Sequence, residues 1–556
     1  MKELVTRLTQ FPTQFFLIVI GLLMFVPFLG SGLLFDWDEI NFAEAAREML
    51  ITHNYRFAQI NYQPFFEKPP FFIWLQAFSM SRFGVNEFAA RLPNAICGVL
   101  TMIAVFNVGR KYFSSRLGVL WALLFACSFL PQIYFKSGII DPVFNYFIFI
   151  SIIFLFHISI ADDFASARLN RSNHRWYLIA SGLAAGLAIL TKGPVAFGLI
   201  VLTITILLIW NKGRLNFSLA DFLLWLAVVC SVLATWIIPE WKLHGSTFLS
   251  EFLKYQMRLL TTEDSGHGGP FYYHLPVLFW GCFPAAALAL ESFRRNTDDT
   301  FYQRSFKRWM IVLFAVVLLV FSVVKTKIIH YSSLCYFPIT FLAAYYLHHL
   351  LEGRWRWTWR QTLALLLSGG LLFVAMMLLP ILALRWDIIA PYLHDDFALE
   401  AIKGPVYWNK AECIYGAIAL AALIATIVLM HTKHVRTGTY LLIIISGLAT
   451  NATISQFMPR ISRYSQGPMV AFLKAHRTEN CQIEPAGFKS YAHLFYGERQ
   501  PFSDKRYQEP NFVIYGPVEK PVYFITKVNL LGRISFSERV EELYRKDGYV
   551  FLKRKY

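Results

Sequence analysis

FPTQFFLIVIGLLMFVPFLGSGLL, residues 11–34, runs directly into FDWDEINFAEAAREML, residues 35–50. The first stretch is apolar and long enough to cross a bilayer core of about 30 Å. The second gathers Asp36, Asp38, Glu39, Glu44 and Arg47, and a further polar pair, Glu67-Lys68, follows just before Pro69-Pro70. The junction reads as a membrane span followed by a charged loop at the membrane surface. Lys2 and Arg7 precede the apolar run as in a signal peptide. The run is too long for one and carries no A-x-A cleavage motif, so an uncleaved first span is expected.

The rest of the chain repeats the apolar theme. Of 556 residues, 56% are hydrophobic and only 16% charged, where soluble domains carry about 25% charge. Thirteen spans are expected, at about 11–33, 90–109, 117–133, 142–160, 177–190, 195–210, 221–239, 271–290, 309–324, 331–350, 361–384, 411–430 and 438–455. The fold class is therefore an all-α polytopic membrane protein. Basic residues mark alternate short connections: Arg110, Lys111 and Arg116; Lys212 and Arg214; Arg294, Arg295, Arg304, Lys307 and Arg308; Arg354, Arg356 and Arg360; Lys433 and Arg436. That side is assigned to the cytoplasm, with the N-terminus on it. The odd span count places the C-terminus outside. The opening loop 35–84, the 136–141 turn, a second long loop over 240–270 and a 385–410 loop share the outer face. Residues 1–457 form the transmembrane unit. From 458 to 556 the pattern changes: NFVIYG and PVYFITKV read as strands, and ISFSERVEELYRKDGYVFLKRK as a helix and then a strand. This is a small C-terminal α/β domain outside the membrane.

The net charge of +17 lies mostly in loops, where it faces anionic lipid. It forms no basic stripe with exposed aromatics, so nucleic acid is not an expected partner. The seven cysteines are isolated and no CxxC occurs, which supports neither a zinc cluster nor a disulfide framework. Walker, GxGxxG and GxSxG motifs are all missing, and a nucleotide-dependent reaction is unsupported.

The opening loop divides in two. Asp36 as N-cap and Glu39 at N3 would start a helix over 42–50, and Glu44 and Arg47 are spaced to pair on it. Pro69 biases Lys68 to an extended backbone before an aromatic helix over 71–83. A rigid ammonium at the water–lipid boundary suits a lipid-linked phosphate, or it is a snorkelling lysine. Asp141 precedes Pro142 at a span start and either converges with this loop on the outer face or is an ordinary N-cap. Lys325 and Lys327 sit on the outer face against the positive-inside trend. Glu67 and His267 offer one oxygen and one nitrogen to a divalent metal such as zinc, manganese or magnesium, at no diagnostic spacing.

Asp38-Glu39 with AEAARE (43–48), FEKPP (66–70), NEFAARLP (86–93), LTKGP (190–194), HGGPFYY (267–273) and KTKIIHY (325–331) resembles the GT-C glycosyltransferases of the aminoarabinose lipid A transferase and protein O-mannosyltransferase superfamily, the aminoarabinose branch above all. The resemblance implies a multi-pass enzyme of the bacterial inner membrane with a periplasmic active site. Such an enzyme takes a sugar, an aminopentose or another pentose or hexose, from a polyprenyl (undecaprenyl) phosphate carrier. The acceptor is a lipid A or lipopolysaccharide-type molecule or another envelope glycolipid, or else a protein hydroxyl. It implies Asp38 as the catalytic acid, with Glu39 and Asp141 beside it. Lys68, Lys325, Lys327, Tyr331 and Asn41 would serve the carrier, and Glu67 with His267 a metal. Asn41 and Phe42 replace the family's arginine and tyrosine, and Phe65 another tyrosine. A transporter or flippase, or a non-catalytic assembly protein, is the competing reading. It fits poorly, because Asp and Glu cluster outside the spans rather than at mid-bilayer.

Overall fold

Helices in this chain start where a polar side chain caps an apolar run. Asn86 accepts the Ala89 N–H, Ser114 the Leu117 N–H, and Ser218 with Asp221 and Thr300 with Gln303 form reciprocal capping boxes. The computed structural model describes residues 2–37, 39–160, 171–213, 215, 217–262, 268–502, 504–534 and 539–555. Asp38 and His267, the Arg214 of one basic connection and residues 535–538 of the tail lie outside them.

Helix α1 (Lys2–Phe25) leads to α2 (Ile40–Thr52), a two-residue hairpin of β1 (Gln59–Ile60) and β2 (Gln63–Pro64), and α3 (Phe71–Phe83). The bundle follows: α4 (Glu87–Tyr112), α5 (Ser115–Cys127), α6 (Phe129–Phe135), α7 (Asp141–Ser159), α8 (Arg171–Lys192), α9 (Val195–Trp210) and α10 (Leu219–Thr261). It is completed by α11 (His274–Gly281), α12 (Ala285–Phe293), α13 (Phe301–Val323), α14 (Ile329–Leu351), α15 (Trp359–Leu384), α16 (Lys410–His431) and α17 (Val435–His476). Each of the thirteen predicted intervals falls on a helix or a bent helix pair. By length and composition, however, eight helices among the described residues suffice to cross a membrane, or ten with the bent pairs α5–α6 (73°) and α11–α12 (105°). The chain is a multi-pass membrane protein.

Rings fill the bundle centre. Phe149 stacks on Phe337 with centroids 4.2 Å apart, and Trp121 meets Phe149, Phe306 and Phe341 edge-on. Small residues let helices touch: a Cβ on Gly109 of α4 would lie 2.8 Å from Gly118 Cα on α5.

Two expectations are corrected. Residues 240–261 are not loop: α10 continues through them and kinks at Gly245, whose φ of +59° only glycine adopts readily. In the tail, NFVIYG is helical over Pro510–Tyr515 rather than a strand, and VEELYRK forms β5 (Val540–Lys546), not a helix. Asp547-Gly548 decides the latter. Both residues take positive φ, +47° and +84°, and turn β5 back onto β6 (Tyr549–Arg554).

With β3 (Gln482–Pro485) and β4 (Val522–Lys527) these strands make one sheet, ordered β3-β4-β6-β5. β3 and β4 are parallel and the other pairs antiparallel. The end of α17 lies on this sheet, with Phe472 stacked 4.6 Å from Phe551. Tyr549 donates to the Ser465 carbonyl at 2.7 Å. The helix carries the chain without interruption from the bundle into the sheet's packing, passing the expected unit boundary at 457/458.

Candidate active site

The acids of the first loop separate by their partners. Glu39 is completely buried and receives Arg91 of α4 in a forked pair, Nε at 2.8 Å and Nη2 at 2.6 Å. The same carboxylate accepts the N–H of Phe35 at 2.8 Å and that of Gly138. Arg91 also donates to the carbonyls of Leu29, Gly32 and Leu33. The pair thus ties α4, the loop before α2 and the 136–141 turn together. This corrects the catalytic expectation for Glu39: its oxygens are committed to four donors, and it braces the site. Asp36 does not cap α2 either. Its Oδ1 accepts the N–H groups of Trp37 (3.1 Å) and Tyr491 (3.0 Å), and burial raises its pKa against those bonds.

On α2, Arg47 and Glu44 form the predicted ion pair at 2.6 Å. Glu48, a turn further on, accepts the N–H groups of Asn61 (2.6 Å) and Tyr62 (2.8 Å) at the tip of the β1–β2 hairpin. Both tip residues have positive φ, which aims the two donors at one carboxylate. Burial, with the Glu44 carboxylate adding to it, pushes Glu48 up to about 8. Phe42, where the resembled family has tyrosine, is buried edge-on against Phe72. Asn41 is half-buried and accepts the Phe42 N–H at 2.7 Å.

A second group gathers beneath the loop. Asp141 is the first residue of α7, buried, with Lys192 Nζ on its Oδ1 at 2.5 Å and His330 Nε2 3.8 Å from its Oδ2. Lys192 also lies 5.0 Å from the Tyr331 ring centre. It reaches this place because α8 ends on it and Gly193, at φ +112°, turns the chain into Pro194 and α9. So the break read from LTKGP is real, and it delivers an ammonium to Asp141.

Lys68 defines a third group. Its Nζ donates to the Tyr255 hydroxyl at 2.8 Å, and Arg258 lies 5.1 Å from the same ring. Tyr255 and Arg258 are one helical turn apart on the continuation of α10. The second and third groups adjoin: Phe71 packs on Phe147 of α7, and a Cβ on Gly193 would contact Gln256, between Tyr255 and Arg258. Together they bring Lys68, Arg258 and Lys192 beside two phenols and one carboxylate. That arrangement can hold an anionic phosphate and leave one acid beside it.

The remaining candidates fall elsewhere. Lys327 is buried and spends its ammonium on three carbonyls at the end of α13, Phe321 (3.0 Å), Ser322 (2.6 Å) and Val324 (2.6 Å). It caps that helix and is corrected from phosphate ligand to structural residue. Lys325 is exposed. Glu67 is half-buried, and its charge helps raise the pKa of Tyr491, after burial. Among the described residues no group of three or more His, Cys, Asp or Glu side chains could hold a metal. His267 lies outside those residues. Sequence reasoning missed Arg91, Lys192, Tyr255, Arg258 and His330 as site residues. The lone lysine at an apolar helix break was the available signal for Lys192. A helix through 246–261 would have put Tyr255 and Arg258 on one face.

The chain is similar to known proteins in sequence and in fold. The family model described as dolichyl-phosphate-mannose-protein mannosyltransferase matches residues 67–239. An undecaprenyl phosphate-alpha-4-amino-4-deoxy-L-arabinose arabinosyl transferase of Pectobacterium carotovorum is 27% identical over 416 residues, covering 73% of this chain and 70% of the relative. One of Pseudomonas aeruginosa is 27% identical over 392 residues, covering 69% and 67%. The crystal structure of ArnT from Cupriavidus metallidurans bound to undecaprenyl phosphate superposes with a TM-score of 0.70 at 18% identity, covering 97% of each chain.

Proposed function

We propose, from the premise that this chain is a membrane-embedded glycosyltransferase with the GT-C fold, that it transfers a sugar from undecaprenyl phosphate to an acceptor of the lipid A type at the outer face of the inner membrane. The carrying observation is the Lys68–Tyr255–Arg258 group beside Asp141–Lys192–His330–Tyr331. The names of the similar enzymes supply the donor class. In the reaction the bond between the anomeric carbon and the carrier phosphate oxygen breaks, and both electrons stay on the phosphate. Lys68 and Arg258 stabilise that growing charge in surroundings poorer in water than bulk. The acceptor oxygen bonds to the anomeric carbon from the opposite side, with inversion.

Asp38 takes the proton when the acceptor is a hydroxyl. When the acceptor is a phosphate, no proton moves, and Asp38 orients it and faces the oxocarbenium-like sugar. The assignment to Asp38 rests on the resemblance of the Asp38-Glu39 motif, and Asp36, Glu39, Glu44 and Glu48 each have partners of their own. Asp141 holds Lys192 in place.

The test uses purified protein with undecaprenyl phosphate carrying 4-amino-4-deoxy-L-arabinose, other pentoses or mannose, and with lipid A or a Ser/Thr peptide as acceptor. Transfer to lipid A by wild type, lost in Asp38→Asn and Lys68→Ala at unchanged melting temperature, is the expected outcome. Transfer only to the peptide moves the acceptor to a protein hydroxyl. Wild-type turnover by both variants removes the site assignment.

A further inference from the structure

Residues 489–499 of the C-terminal sheet region reach back to the first loop, and the first three of them contact Asp36 and Trp37, the two residues before Asp38 in the chain. Trp37 is the residue before Asp38 and has a φ of +76°. That backbone conformation is uncommon for any side chain and unusual for a bulky one. It persists only where the surroundings over-determine it.

The contacts that do so come from both directions. Upstream, Asp36 Oδ1 accepts the Trp37 N–H at 3.1 Å and the Tyr491 N–H at 3.0 Å, and the buried Ser490 hydroxyl bonds the same carboxylate. The Trp37 indole N–H donates to the Lys489 carbonyl at 2.9 Å. Its ring carries the Lys489 ammonium at 4.6 Å and meets Tyr491 edge-on at 6.2 Å. Downstream, Glu39 is locked by Arg91. Two residues before Asp36, the Leu34 N–H is held by the Tyr496 hydroxyl at 2.8 Å and its carbonyl by Gln466 at 3.3 Å. The same tail segment grips the loop's second half: Arg47 and Tyr62 both donate to the Arg499 carbonyl, at 2.8 and 2.6 Å.

We propose that residues 489–491, acting through Asp36 and Trp37, are positioning residues that fix the backbone from which the chain enters Asp38, so that the C-terminal region is part of the catalytic apparatus. This rests on the reading of Asp38 as the reacting acid. The Phe472–Phe551 stack and the Tyr549 bond to Ser465 also hold the sheet on α17. The 489–491 contacts differ in falling on an unfavourable backbone conformation one residue from that acid. A displacement of about 1 Å at a reacting group costs on the order of a hundredfold in rate, so a turn held from both sides has a kinetic consequence that general docking lacks.

The experiment uses the full chain in detergent, with three readouts on Asp36→Ala, Asp36→Asn, Trp37→Ala and Trp37→Phe: hydrogen exchange of the 35–40 amides, melting temperature, and kcat against KM for the undecaprenyl phosphate-linked donor. Asp36→Ala and Trp37→Ala should speed exchange at 35–40 without changing it in α4 or α17. They should lower kcat by about ten- to a hundredfold with donor KM within about twofold, the signature of a lost transition-state geometry. Asp36→Asn keeps the Oδ1 acceptor and Trp37→Phe keeps the ring, and both should recover most of the turnover. Unchanged exchange in Trp37→Ala, or wild-type kcat per folded enzyme in both alanine variants, overturns the proposal. If wild type transfers from no donor, the functional reading falls, and the exchange experiment still decides whether 489–491 hold the turn.

Discussion

Removing Arg91 should unfold the site before it affects chemistry. The Arg91 guanidinium makes two bonds to Glu39 and three to the carbonyls of Leu29, Gly32 and Leu33. The two side chains are 8% and 0% exposed. Arg91→Met strands the Glu39 carboxylate with two backbone donors and leaves three carbonyls to find new partners. Breaking one side of a buried pair costs about 3–5 kcal/mol. For a chain of this size that is a fall in melting temperature of about 3–4 °C. Glu39→Gln keeps the shape and loses the charge, so its fall should be smaller. The double variant should lose less than the sum of the two, because the stranded charge is gone. The assay is thermal unfolding in detergent together with turnover per folded molecule. If Glu39 were instead a general acid or base, Glu39→Gln would melt like wild type and lose about 10²–10⁴ in turnover. That result would refute the structural role.

Three further outcomes follow from the same geometry. Lys192→Met leaves Asp141 buried without its ammonium and should lower both melting temperature and turnover; adding Asp141→Asn should restore melting but not transfer, and recovery of transfer would remove the pair from the site. Lys327→Met should destabilise by about 1–3 kcal/mol through its three carbonyls while leaving donor KM unchanged; a large rise in KM would return Lys327 to the phosphate. Glu48 has its folded pKa raised from 4.5 to about 8, so the folded state binds the extra proton between those values. Its contribution is fully present below pH 4.5 and is lost as pH rises toward 8. Melting temperature should therefore fall from pH 5 to 8.5, and Glu48→Gln, which mimics the protonated form, should flatten that slope.

What was legible in the sequence is what depends on local chemistry. Apolar run length is set by bilayer thickness, so the bundle could be read without contacts. The helix Phe71–Phe83 was bounded by Pro70 and Gly84 and appears with those bounds. The misreadings arose where a local signal was ambiguous. Pro239, Gly245 and the polar residues between them look like a loop, yet a helix tolerates one kink there and carries Tyr255 and Arg258 to Lys68. The Glu541–Lys546 run is rich in helix formers, but the Asp547-Gly548 turn and pairing with β6 outweigh that preference.

The acids were the hardest case, for a reason that is not local at all. Asp36, Asp38 and Glu39 lie within four residues of one another, and nothing in their spacing says which one reacts. The partner that removes Glu39 is 52 residues away, and the one that removes Asp36 is 455 away. What sets Glu39 and Asp36 apart is thus long-range packing, which spacing within the loop does not encode. The C-terminal region supplies the partner of Asp36, so truncating the chain after α17 should abolish transfer even if the bundle remains folded. A bundle lacking residues 477–556 that melts normally and still transfers would break this argument at its root.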